Sequence, residues 1–271
     1  MRILAALCLC ISLALHAGET GAAFEGMVVD SRSAGMGDCL SVSACGALCL
    51  SPLPASGSPG VVSFTFCSPF GMDELSQRSV TCSFRLRENV LTFGFAGRGS
   101  DLHQEGILSA SASGLLTESV EVSLCLGLYS MFIENVGETR LVGASAGARV
   151  RPLPQLEACV GVCNPATSRD SGTLPRGVLF ALLLRPASNV TAACEMRKRT
   201  TASSCLHFGV ELEPEQGIRL RCGVQTEPVE LTLGFGLRLG PVGLETATSF
   251  HSVLGRTDVF TLNWPAKARG K

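Results

Sequence analysis

The chain has 271 residues, 46% hydrophobic and only 17% charged, and its 22 basic and 23 acidic side chains leave a formal net charge of −1. Soluble domains usually carry about a quarter charged residues, so this chain is depleted in charge. Yet no internal apolar run reaches the 18 or so residues of a membrane-spanning helix. Acidic and basic side chains are interleaved with no basic stripe or tail, a distribution that excludes nucleic acid as a partner.

Residues 1–23 read as a signal peptide. Arg2 supplies a positive start, Ile3 to Leu15 form an apolar stretch of ordinary length, and the small residues that follow place cleavage near Ala17 or near Ala22–Ala23. Cys8 and Cys10 leave with it, so eleven of the thirteen cysteines stay in the mature chain. An odd number cannot all pair within one chain. Cys82, Cys194 and Cys222 fall on the apolar face of strand patterns, where a thiol acts as a small hydrophobe. Cys159 and Cys163 lie four apart on one face, a spacing that suits neither a zinc pair nor a redox CxxC. Cys39, Cys45 and Cys49 cluster early and are the best placed for a bridge, although free thiols remain the preferred reading.

Residues 24–60 are rich in Ser, Gly, Ala and Cys, lack alternation, and end in the breaker-rich stretch from Ser51 to Gly60. From Val61 to Trp264 the pattern changes. A run of about ten residues, apolar and polar by turns and closed by a short turn, recurs about fourteen times. Leu231, Leu233, Phe235, Leu237 and Leu239 share one face, while Thr232, Gly234, Gly236, Arg238 and Gly240 share the other. The same holds for Val80 to Arg87, Val120 to Tyr129, Leu206 to Glu213 and Ile218 to Gln225. Side chains alternate across a strand, so each run has one greasy and one polar surface. Short turns such as Arg98-Gly-Ser-Asp101 and Gly240-Pro241 favour antiparallel hairpins. The expected fold is all-β, a transmembrane antiparallel up-and-down barrel of about 14 strands over residues 61–271. A soluble barrel of that size would enclose a lumen it could not fill. One Trp and one Tyr make poor interfacial girdles, which the thirteen Phe partly replace.

Inside such a barrel the polar face carries Arg85, Arg87, Glu121, Glu157, Glu195, Arg197, His207, Glu211, Arg219, Arg221, Arg238 and Glu245. Opposite charges on neighbouring strands can neutralise one another. Glycines such as Gly161, Gly209, Gly223 and Gly234 keep the wall thin and leave room inside it. Alternation sets the facing but leaves open whether the lumen is sealed or used. Gly143-Ala-Ser-Ala-Gly147 has the GxSxG spelling, but it lies within a strand and lacks the strand-to-helix turn a nucleophile elbow needs. No cofactor or metal spacing is present, and the expected protein is not an enzyme. Asn189-Val-Thr191 spells a glycosylation acceptor that falls mid-strand and carries no weight.

Ser31-Arg-Ser-Ala-Gly-Met-Gly37 resembles the N-terminal signature of the PorV/PorQ-like outer-membrane proteins, relatives of the FadL long-chain fatty-acid transporters. In that family Arg-Ser-x-Gly-Met-Gly precedes a small-residue stretch and an Asn-Pro-Ala turn into the first strand. Here Ser51-Pro52-Leu53 stands at the turn, and the acidic pair of the small-residue stretch is missing around Ala44–Cys45. Leu254-Gly-Arg-Thr257 resembles the closing Leu-Gly-x-Thr-His pattern, with Asp258 in place of His. Phe260, Leu262 and Trp264 close the last strand and resemble the aromatic-ended final strand that the barrel-insertion machinery reads in bacterial outer-membrane barrels, although Pro265 to Lys271 extend beyond it. The family resemblance implies a barrel in the outer membrane of a diderm bacterium, with residues 24–60 tucked into the lumen as a plug. It implies passive uptake of hydrophobic compounds such as long-chain fatty acids; the alternative is a PorV-like scaffold or secretion accessory. Gly35 and Gly37 permit close approaches, and Arg32 would pair with Glu211 or Glu245. Apolar plug residues Met36, Leu40, Val42 and Leu48 would touch an acyl chain, and lumen arginines such as Arg219 and Arg221 its carboxylate. The same apolar residues would equally serve only to pack the plug against the wall.

Overall fold

In the computed structural model, which describes residues 23–43, 52–54, 60–165, 174, 176–199 and 203–265, fourteen antiparallel strands form a closed barrel. They run from β1 (Val61–Ser68) to β14 (Gly255–Pro265), each hydrogen-bonded to its sequence neighbours. β14 closes the ring on β1, with Val61 opposite Pro265 and Ser68 opposite Asp258. Closure leaves no unpaired edge, the condition for a sheet to cross a bilayer. β4 (His103–Thr117), β5 (Val120–Ile133) and β6 (Gly137–Leu153) are the longest strands.

The two rims differ. At one rim every connection has two residues, Arg87–Glu88 and Gly240–Pro241 among them. The other rim carries the longer links, of which the one between β7 (Leu156–Cys163) and β8 (Gly177–Ala187) is the longest. Asn189 proves to sit in the two-residue turn between β8 and β9 (Val190–Arg199), not mid-strand as its sequence context suggested. Arg85 and Arg87 also differ from expectation. Both are exposed at the tight-turn rim, Arg87 with φ 58° in the turn itself, because the inward face of β2 (Gln77–Leu86) leaves the lumen there.

The alternation faces as predicted. On β5, Leu124, Leu126 and Leu128 are exposed outward, while Ser123, Cys125 and Tyr129 are buried inward. Phe64, Phe66, Phe93, Phe95, Phe260 and Trp264 are likewise outward and exposed. Such a continuous apolar belt is unstable in water and suits the hydrocarbon of a membrane. No helix among the described residues is long and apolar enough to cross a membrane; the crossing is made by strands. Leu126→Arg, in the middle of this belt, is therefore expected to cost about 2–4 kcal/mol of barrel stability in lipid. Denaturant titration of the barrel in vesicles tests this, and an unchanged midpoint would contradict the lipid-facing assignment.

Candidate functional site: the lumen and its N-terminal segment

Residues 23–43 and 52–54 lie inside the barrel. A five-residue helix, α1 (Ser31–Gly35), is capped by Asp30, whose carboxylate accepts from Ser33 N at 2.7 Å. The same carboxylate accepts from the Ser43 hydroxyl at 2.7 Å, so one side chain ties the start of α1 to residue 43. Asp30, Ser31 and Ser33 are all buried, and buried polar groups of this kind need partners, which the segment itself and the wall supply between them. Ser31 N donates to the Thr261 hydroxyl at 3.0 Å. Gly37 N donates to the Thr232 hydroxyl at 2.9 Å, and that hydroxyl donates to Gly35 O at 3.1 Å. Gln77 pairs with both the N–H and the carbonyl of Val28, at 2.9 and 2.6 Å.

Contact this close requires a wall without side chains. Gly209 lies opposite Gly223 across β10 (Cys205–Glu215) and β11 (Ile218–Thr226). A Cβ added at Gly209 would overlap the Met36 carbonyl, and one at Gly223 would overlap Gly37 N. A Cβ added at Gly35 would stand 3.0 Å from the Gly234 Cα. Gly37 itself has φ +70°, a conformation that side chains disfavour. Across the lumen, Gly147 and Gly161 similarly admit Pro52.

Charge completes the seating. Arg32 forks onto Glu211 at 2.6 and 3.1 Å. Of the two carboxylates open to it in sequence, Glu211 is thus the one it pairs with. Arg221, with no side-chain exposure, bridges Glu211 at 2.6 Å and Glu245 at 3.1 Å. Arg219 completes the chain, 3.4 Å from Glu213 and 3.7 Å from Glu245. Farther round, Glu195 is fully buried and accepts from Leu40 N at 3.2 Å and Ser41 N at 2.9 Å. Arg197 joins Glu195 to Asp38, at 3.1 and 2.9 Å. His207 Nδ1 lies 2.7 Å from Gly37 O and 2.8 Å from Arg197 Nη2. Arg149 donates to Ser41 O at 3.3 Å and Pro54 O at 2.9 Å.

The residues singled out in sequence therefore divide into three groups. Arg32, Arg219 and Arg221 meet in one ion-paired network whose carboxylates come from the barrel itself. Met36, Leu40 and Val42 are buried in a single apolar cluster with Val29, Leu53 and Leu179. Leu48 lies outside the described residues, as do Cys45 and Cys49. Cys39, Cys67 and Cys159 are buried free thiols, and Cys82, Cys194, Cys205 and Cys222 are free as well. Ser145 of the GxSxG spelling is buried inside β6, with neither elbow nor helix following.

Open space lies elsewhere, toward the long-loop rim. A cleft of about 60 Å³ separates the N-terminal segment from β7–β9. Phe24, Met27, Leu40, Val178 and Leu179 line it, with Arg176 and Arg199 among its polar residues. Of the described residues chosen from sequence as ligand contacts, Leu40 alone reaches it; Arg197 of the lumen face also lines it. Phe24 and Met27 were missed because they precede the recognisable motif, and Arg176 because it stands in a connection with no periodicity.

No protein-family model matches this sequence, and no curated protein matches it. Solved structures do. The Ralstonia pickettii toluene transporter TbuX superposes with a TM-score of 0.64 at 8% identity, over 90% of this chain and 100% of that one. The monoaromatic hydrocarbon channel CymD gives 0.61 at 12% identity, over 89% and 97%. A Pseudomonas aeruginosa FadL homologue gives 0.56 at 8% identity, over 89% and 99%. At these identities the likeness is one of fold, and the narrower PorV/PorQ likeness rests on the sequence motifs alone. The chain has the barrel architecture of proteins described as transporters and channels for hydrophobic compounds.

Proposed function

We propose that this chain is an exported outer-membrane barrel that takes up hydrophobic compounds, with its N-terminal segment as the hatch and long-chain fatty acids as the substrate class. The observation that carries the reading is the cleft beside Leu40, lined by apolar residues such as Val178 and Leu179 and by Arg199. A hydrophobic tail with an anionic head fits such a surface, because the guanidinium retains its bond to a carboxylate while the tail leaves water. Short turns usually face the periplasm and long loops the outside, so the cleft faces incoming ligand. Toluene and monoaromatic hydrocarbon transport by proteins of the same architecture supports the hydrophobic character of the cargo. Arg219 and Arg221 are not part of this site, since barrel carboxylates already engage them.

The cleft is far below the roughly 300–1,000 Å³ of a small-molecule site, so uptake requires the segment or the β7–β8 connection to move. That same observation favours a second reading, a closed scaffold that holds another envelope protein without passing cargo. Displacement of a fluorescent fatty acid from the detergent-solubilised barrel separates the two. Oleate should compete, and Arg199→Ser should weaken it roughly tenfold or more, the worth of one charge-assisted bond. Competition by toluene with no effect of Arg199→Ser would shift the substrate to neutral hydrocarbons. Absence of any binding, with co-purification of an exported protein, would favour the scaffold.

A further inference from the structure

Phe24 is almost completely buried, edge-on to Tyr129 with ring centroids 5.1 Å apart, in an apolar cluster with Met27, Ile107 and Leu174. Its backbone nitrogen lies 3.2 Å from Glu105 Oε2. Glu105 is itself buried and is the hub of a polar cluster: Arg98 reaches the same oxygen at 2.6 and 3.0 Å, and His103 Nε2 lies 3.0 Å from the other. Arg98 also donates to Glu25 O at 2.8 Å. A buried carboxylate is thus aimed at the nitrogen of one particular residue. The backbone there is strained, for Phe24 has φ 67°, in the left-handed region that bulky side chains avoid.

Both features have one explanation. That φ is defined by the peptide bond between Ala23 and Phe24, and it ceases to exist if the bond is cut. Gly21-Ala22-Ala23 places small residues where a signal peptidase reads them. We propose that the mature chain begins at Phe24 and that its new α-ammonium is a built-in ligand of Glu105, pinning the N-terminus inside the barrel. Hydrolysis adds water across the Ala23–Phe24 bond. The carboxylate leaves on Ala23, and the freed amine of Phe24 takes a proton. A neutral N–H donor thereby becomes a charged one, and charge-assisted bonds are roughly twice as strong as neutral ones. Arg98 and the ammonium then both face the Glu105 carboxylate. Release of the leader thus doubles as the step that seats the hatch.

This inference rests on the export reading but not on any ligand. The test is to express the full chain in a diderm host, isolate the outer membrane, and determine the first residue by N-terminal sequencing and intact mass. The expected sequence is Phe24-Glu25-Gly26 with a free amine. Reductive methylation of that amine should run roughly tenfold or more slower in the folded barrel than after boiling, as a charged hydrogen bond implies. Glu105→Gln should abolish the protection while leaving the barrel heat-modifiable on gels. A different first residue, or equal labelling before and after boiling, would overturn the proposal without touching the hydrophobic-uptake reading. Protection that persists in a folded Glu105→Gln barrel would remove Glu105 from it. Should that variant not fold, the wild-type sequence and labelling still decide. Recovery of the unprocessed chain from the cytoplasm would defeat the export reading itself.

Discussion

Gly223→Val should leave a barrel that assembles but can no longer seat its N-terminal segment. The added Cβ meets Gly37 N and the Met36 carbonyl carbon, which are main-chain atoms of the segment and have no rotamer through which to yield. Overpacking a well-filled interior typically costs about 1–3 kcal/mol, here charged to the contact between segment and wall rather than to the strand ladder. Val is also a good strand residue, so β11 itself should tolerate it. The expected result is a heat-modifiable barrel in which residues 24–43 become accessible to protease and ion conductance in a planar bilayer rises. Ala112→Val, on the exposed outer face of β4, adds the same kind of bulk where only lipid lies and should change neither. Persistent protection of the segment in Gly223→Val would mean that the close approach is not what holds it.

The second large effect is expected at Arg221. Its side chain is unexposed and lies between Glu211 and Glu245, with Arg32 and Arg219 on the far sides of those carboxylates. Removing it leaves two buried carboxylates short of a counter-charge, and breaking such a pair from one side costs about 3–5 kcal/mol. Arg221→Ala should therefore lower the stability of the barrel in detergent strongly. Adding Glu245→Ala should return part of the loss, a coupling that a double-mutant cycle reads directly. Arg140 supplies the contrast. It pairs with Glu138 at 2.8 Å, but both side chains are largely exposed at 67% and 46%, and Arg140→Ala should cost less than about 1 kcal/mol. Equal losses for Arg221→Ala and Arg140→Ala would show that the buried network contributes no more than surface pairing.

These two predictions bear on uptake as well. Met36 and the glycines around it are packed without space, and the arginines beside α1 are engaged by Glu211, Glu213 and Glu245. The interior near α1 is thus built to hold the segment. On the uptake reading proposed above, ligand contact would fall instead to the cleft at Leu40, Val178 and Arg199, where the packing is incomplete.

Much of this was legible in the chain itself. Alternation at period two determines which side chains face lipid and which face the lumen, and two-residue turns force neighbouring strands to run antiparallel. The barrel's limits, Val61 and Pro265, therefore lie within a residue of where the pattern begins and ends. Facing is a local property, decided by the pleat one residue at a time. What the pattern could not decide was every relation across the lumen. Arg32 and Glu211 stand 179 positions apart, and Ser31 and Thr261 stand 230 apart. Only the closure of β14 on β1 and the register of each hairpin bring such residues together. The same closure carried Arg85 and Arg87 out to the rim, because a strand's polar face is interior only for as long as the barrel surrounds it. It also turned Gly209 and Gly223 from gaps in a pattern into the surface on which Met36 and Gly37 rest. Which carboxylate an arginine meets is a property of the closed ring, and no single strand contains it.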